Sequence, residues 1–234
     1  MKKVILAFIM FFIMTSASFA DSNVYITQSG ANLDLDITMD GNNNAVGASN
    51  DRTLLTGANL DVDIDLIGAS NVITGDFIGA GESGQDDLKI NQTGSTNTTA
   101  LNVGSSASTD DVSIIENRVG SSGVTSYIIG STATVQDVSV TVDVVGDDID
   151  IALTENSSSS GSDKTTDIDI ATDSDDVDII VTHTGAGAHK TKLLCTGACG
   201  TSDFTFSQTG ANSTDVDLVV TNAAGSDVDI TITD

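Results

Sequence analysis

The sequence predicts an all-β protein, a β-solenoid of stacked strand-turn-strand repeats, with a β-sandwich as the alternative. Three observations lead there. Apolar and polar residues alternate strictly over many short stretches, turn-forming runs separate those stretches, and a Gln-x-Gly motif returns along the chain. Alternation places residues i, i+2 and i+4 on one face of a strand, and β-branched residues suit such a half-buried surface.

The first 20 residues read as a secretory signal peptide. Lys2 and Lys3 form a basic start, Val4 to Met14 an apolar run, and Ser18 and Ala20 flank Phe19 as the small residues of a cleavage site. A single repetitive domain is expected over residues 21–234, and the predicted localisation is secreted, extracellular or on the cell surface. Its first alternating stretch holds Val24 and Ile26. Leu33, Leu35, Ile37 and Met39 then interleave with Asp34, Asp36, Thr38 and Asp40, and Leu60, Val62, Ile64 and Leu66 with Asp61, Asp63 and Asp65. The pattern returns at Val138-Val140-Val142-Val144, Ile149-Ile151-Leu153, Ile168-Ile170, Val216-Leu218-Val220 and Val228-Ile230-Ile232. Runs rich in Gly, Asn, Ser and Asp at 40–50, 79–87 and 156–163 read as turns. No stretch beyond the leader has a helical period.

The chain has no Trp and no Pro, and after the leader its aromatics are Tyr25, Phe77, Tyr127, Phe204 and Phe206. That is a thin core repeated many times, without large aromatic anchors. The formal charge is −26, from 34 acidic against 8 basic residues, and nearly all the acid is Asp. Phosphate recognition needs a basic patch, so nucleic acid is excluded as a partner.

In "TQSGAN" (27–32), "NQTGSTN" (91–97) and "SQTGAN" (207–212), Gln28, Gln92 and Gln208 occupy the position where alternation calls for another inward apolar residue. "LLTGAN" and "THTGAG" put Leu55 and His183 there. A buried amide needs hydrogen-bond partners, and units stacked about 4.8 Å apart let each Gln bond to the Gln above and below, with Asn side chains doing the same. Repeats of 20 to 50 residues mark solenoids.

The pattern Gln-x-Gly-x-x-Asn, carried by Gln92, Gly94 and Asn97, resembles the curlin repeat of bacterial extracellular amyloid fibres. Gln28, Gly30 and Asn32, with Gln208, Gly210 and Asn212, give the same order one residue shorter. The resemblance covers about a third of the chain after the leader. It implies stacked strand-turn-strand units and a secreted structural or adhesive role as matrix fibres, with other copies of the chain as partners. Against polymerisation stands the charge, six basic against 34 acidic residues once Lys2 and Lys3 are removed.

Two further constellations carry chemistry. Asp61, Asp63 and Asp65 share one strand face and are candidate Ca²⁺ ligands, which supports an alternative Ca²⁺-dependent binding module for carbohydrate or a surface. No other cofactor is expected. Cys195 and Cys199 flank a tight Thr-Gly-Ala and are expected to form a disulfide in an exported protein. Zinc on His183, His189, Cys195 and Cys199 is the lesser reading, because those spacings match no common zinc pattern. No nucleophile motif accompanies the two histidines, so no enzyme is predicted. Thr-rich strand faces also suit a carbohydrate or ice surface, but in the sequence they read only as scattered pairs such as Thr231 and Thr233.

Overall fold

The computed structural model describes residues 21–47, 53–79, 86–104, 112–130, 137–156, 163–171, 174–196, 199–210, 213–221 and 227–233. The expected leader, residues 1–20, lies outside them. The described residues contain no helix and nineteen strands. These are β1 (Asp21–Val24), β2 (Thr27–Ser29), β3 (Leu33–Asp40), β4 (Asn43–Val46), β5 (Thr53–Gly57), β6 (Leu60–Ile67), β7 (Ser70–Gly79), β8 (Asp86–Thr93), β9 (Thr96–Val103) and β10 (Val112–Val119). Then follow β11 (Ser122–Ile129), β12 (Val138–Val145), β13 (Asp148–Asn156), β14 (Lys164–Ile170), β15 (Ser174–Thr184), β16 (Ala188–Cys195), β17 (Cys199–Thr209), β18 (Ser213–Val220) and β19 (Asp227–Thr233).

The protein is a β-solenoid. The chain visits two sheets in turn, one in the order β1-β4-β7-β9-β11-β13-β15-β17-β19, with β2 and β5 beside it, the other running from β3 to β18 through the even-numbered strands from β6. Every pairing is parallel, and through the middle of the stack a residue's partner lies 26 positions later, as at Val112 and Val138 or Ser122 and Asp148. A sandwich of hairpins would pair neighbours in sequence antiparallel, which happens nowhere among the described residues.

In-register stacking turns each inward position into a column running through the coils. One column reads Ile37, Ile64, Ile90, and further on Val142, Ile168, Leu193, Leu218. Another reads Ile151, Ile179, Phe204, Val228. The two sheets enclose these columns, and most inward residues are fully buried. Like-shaped side chains at the strand spacing fill the interior with only four large aromatics among the described core residues, Phe77, Tyr127, Phe204 and Phe206.

Two corner columns hold the coils together where the chain passes from one sheet to the other. Asn44, Asn71 and Asn97 are buried and stacked. Asn44 Nδ2 donates to Asn71 Oδ1 at 3.0 Å and Asn71 Nδ2 to Asn97 Oδ1 at 2.9 Å, while each amide also reaches a backbone carbonyl. Beside them runs a glycine column. A Cβ on Gly94 would overlap the carbonyl oxygen of Gly68, and one on Gly68 that of Gly41, so only glycine lets successive corners approach this closely.

Asn71→Ala is expected to lower unfolding stability by about 2 kcal/mol in urea titration, because it strands the Asn97 carbonyl and half the Asn44 amide in the core. A loss under about 0.5 kcal/mol would show that the ladder contributes nothing beyond packing.

Candidate functional site

The Gln-x-Gly residues sit at strand ends, but the glutamines do not stack on one another. Gln28 pairs in register with Leu55, Gln92 lies between Leu66 and Arg118, and Gln208 lies between His183 and Ile232. This corrects the expected Gln ladder, and the reason is periodic. Gln208 follows Gln28 by seven coils and returns to the same sheet, whereas Gln92 follows by two and a half and ends a strand of the other sheet. The ladder that does form is the asparagine one, with Asn97 as its third rung. Asn32 takes a left-handed φ of 61° and accepts a 3.0 Å hydrogen bond from Asn59 Nδ2 at the exposed first corner. Gly30 and Gly210 adopt positive φ, and Gly94 is fixed by close approach instead. Asn212 lies outside the described residues.

Gln92 belongs to a buried polar knot in the middle of the stack. Glu116 stands at an inward position of β10 with no exposed surface. Its carboxyl receives hydroxyl donors from Thr99 at 2.9 Å, Thr125 at 2.8 Å and Tyr127 at 2.8 Å. Arg118, two residues on, donates from Nη1 to Thr125 Oγ1 at 2.7 Å. Room for the guanidinium comes from Gly123 opposite, where any Cβ would press on Arg118 Nε. Burial lowers the Arg118 pKa against the pull of Glu116, and burial with Glu116 raises that of Tyr127.

A second knot lies in the C-terminal coils. Glu155, His183 and Gln208 form one column, and Lys164 with His189 and Thr166 with Thr191 form two columns of the facing sheet. All seven side chains are buried. Thr166 Oγ1 donates to Glu155 Oε1 at 3.0 Å, and His183 Nε2 lies 3.1 Å from both Glu155 Oε2 and Thr166 Oγ1. His189 Nε2 is 3.5 Å from Lys164 Nζ, and Gln208 Nε2 donates to Thr191 Oγ1 at 3.1 Å. Burial pushes Glu155 up to about 8 and His183 down to about 3, so both are neutral between those values. Neither knot was singled out from sequence. The signal was there: Glu116, Arg118, Glu155 and Lys164 all sit at the inward parity of their strands.

The outer faces carry the other expected sites. Asp61 stacks between Asp34 and Asp87, Asp63 between Asp36 and Lys89, and Asp65 between Thr38 and Asn91, whose amide donates to Asp65. Desolvation, with Asp34, Asp63, Asp87 and Asp36, raises Asp61 above the ordinary carboxylate range. Among the described residues no three His, Cys, Asp or Glu side chains converge on a metal position. Further along, Lys192 bridges Asp167 at 2.9 Å and Asp169 at 3.6 Å. Cys195 and Cys199 form a buried disulfide, so they offer no thiolates to the histidines. The sequence's scattered threonines prove to be ordered. Thr154, Thr182, Ser207 and Thr231 share one outward column, and Asn156, Thr184, Thr209 and Thr233 share the next but one.

No protein family, curated protein or solved structure matches the chain. The acid columns make a direct prediction. Asp61→Asn removes one charge from a run of three stacked carboxylates, and should raise Tm by about 2 °C in dilute buffer. That gain should vanish at 1 M salt, where the screening length is about 3 Å. A gain that survives high salt would show that crowding of charge is not its cause.

Proposed function

We propose that the chain is a secreted structural protein of the cell surface or extracellular matrix, which joins copies of itself end to end through the open edges of its first sheet. One observation carries this reading: among the described residues, the first and last coils leave inward columns uncovered. At the far edge Val228, Ile230 and Ile232 of β19 are 41, 47 and 50% exposed. At the near edge Val24, Ile26, Leu33 and Leu35 are only partly buried. Among the described residues neither edge strand has a partner on its outer side.

The edges are complementary in pattern. Val24, Ile26 and Gln28 have the spacing of Val228, Ile230 and Ile232, so a second copy laid in register continues the same columns. Outward-facing Asp227 would then meet Asn23, an arrangement the solenoid uses internally where Asn102 Nδ2 donates to Asp76 Oδ1 at 2.7 Å. Among the described residues the second sheet ends one strand earlier, at β18, so the joint is assigned to the first sheet. Unpaired strand edges of this sort template further pairing.

The net charge of −26 opposes contact in dilute buffer. The expected outcome is salt-gated assembly, with monomers at low ionic strength and filaments or head-to-tail oligomers at high salt or with millimolar divalent cations. Replacing Asp227 and Asp229 with Asn should lower the salt required. Light scattering and electron microscopy that find a monomer throughout would remove the fibre reading.

A second reading has its own observation, the paired hydroxyl columns from Thr154 to Thr233. Such a face suits an uncharged hydroxylated surface or carbohydrate, with Ca²⁺ on the acid columns as its companion. Calorimetric titration with Ca²⁺ that gives neither heat of binding nor a rise in Tm would exclude the Ca²⁺-dependent form.

A further inference from the structure

The second polar knot has no part in joining chains, yet it places four titratable side chains inside the narrow space between the sheets. Glu155, Lys164, His183 and His189 come from β13, β14, β15 and β16, so one cluster ties together consecutive strands of both sheets. Its surroundings cannot disperse a new charge. Above Glu155 in its column is Ile129 of β11, and above Lys164 is Val138 of β12. Below, Gln208 of β17 is followed by Ile232 of β19, and His189 by Thr214 of β18. The other charges acting on the cluster are Asp137 and Asp163, which act on Lys164 from the corners before β12 and β14.

Its polar atoms are not all satisfied: among the described residues Gln208 Oε1 has no hydrogen-bond partner, and Glu155 Oε2 has only its contact with His183. Thr166 has one proton and serves Glu155 Oε1, while the contact between Glu155 Oε2 and His183 Nε2 holds one shared proton in the neutral state. His183 Nδ1 is buried without a partner, so a second proton on the ring would point at nothing that accepts it. A carboxylate at Glu155 would keep the Thr166 hydroxyl, accept from His183 Nε2–H and feel the charge of Lys164, but the cost of burying it outweighs these.

We propose that this cluster is a pH-responsive joint: it holds the C-terminal coils closed while Glu155 and His183 are both neutral, and lets β13 to β17 open when either one is forced to ionise. The two limbs have opposite signs. Glu155 is raised to about 8 by burial, so the unfolded chain releases its proton first, and stability falls as pH rises from the ordinary glutamate value to about 8. His183 is lowered to about 3 by burial, His189 and Lys164, so stability falls as pH drops from the ordinary histidine value to about 3. His189, also lowered by burial, adds to the acid limb with the same sign. Lys164, lowered by burial, works against the alkaline limb only as pH nears its ordinary range.

The full chain is tested at low salt, where it is expected to be monomeric, so the outcome does not depend on self-assembly. Between pH 6.5 and 8 the wild-type unfolding constant should rise by up to tenfold per pH unit, one proton being lost on unfolding. Glu155→Gln, which keeps shape and acceptor but cannot ionise, should leave it nearly flat. Hydrogen exchange corrected for intrinsic rates should show protection lost first in β13 to β17, with β6 to β9 unchanged. An equal slope in Glu155→Gln, or loss spread evenly along the solenoid, overturns the joint. If that variant does not fold, carboxyl NMR of the wild type decides: a Glu155 midpoint near 8 supports the joint, and one near the ordinary glutamate value overturns it.

Discussion

One constraint governs this molecule: parallel strands pair in register about 4.8 Å apart, so each side chain has the residues one coil before and one coil after as fixed neighbours. A residue is therefore selected less by its neighbours in sequence than by the residue about 26 positions away. Aliphatic columns satisfy the constraint with no further device, since Ile64 on Ile90 or Ile114 on Val140 simply pack. Polar inward residues satisfy it only by finding partners in their own column, as the asparagines do, or across the core, as Glu116 does with Thr99, Thr125 and Tyr127.

The same constraint acts outside with the opposite sign. Stacked carboxylates repel by about 1 kcal/mol per pair at such distances even in water. The solenoid breaks several acid columns with a donor or a cation: Asp63 against Lys89, Asp65 against Asn91, Asp167 against Lys192. Where it does not, as at Asp34-Asp61-Asp87 and Asp150-Asp178-Asp203-Asp227, burial and the stacked neighbours hold an inner carboxyl, Asp61 or Asp178, above its ordinary range. The acid is thus distributed by column as well as by strand.

That distribution explains what could be read from the sequence. Strand positions such as Leu60 to Leu66 and Val138 to Val144 were legible, because alternation is a property of adjacent residues. The solenoid was legible from alternation combined with repetition. The partner of each side chain was not, because that depends on coil length: aligning the Gln-x-Gly copies put Gln92 with Gln28, while a separation of two and a half coils puts them in different sheets. The hydroxyl columns were missed for the same reason, since Thr184 and Thr209 become neighbours only through the register. Glu155 and Lys164 were visible as breaks in inward parity, and a charged residue at such a position demands a partner.

Register itself is the last problem such a fold poses. Successive coils present similar aliphatic positions, so sliding β12 by one coil would set Val142 against Ile90 or Leu193 at little cost. The polar knots do not tolerate this. Moving Arg118 off Gly123 by one coil would drive its guanidinium into an asparagine or an isoleucine of the same column, Asn97 or Ile149, and leave Glu116 without Tyr127. Moving Glu155 off Thr166 by one coil would bury a carboxyl beside Val140 or Thr191, with no shared proton from His183. A buried polar group adds little to stability when matched and costs several kcal/mol when stranded, so its effect is to penalise every register but one. On this argument the aliphatic columns supply the cohesion of the solenoid and the two knots supply its uniqueness.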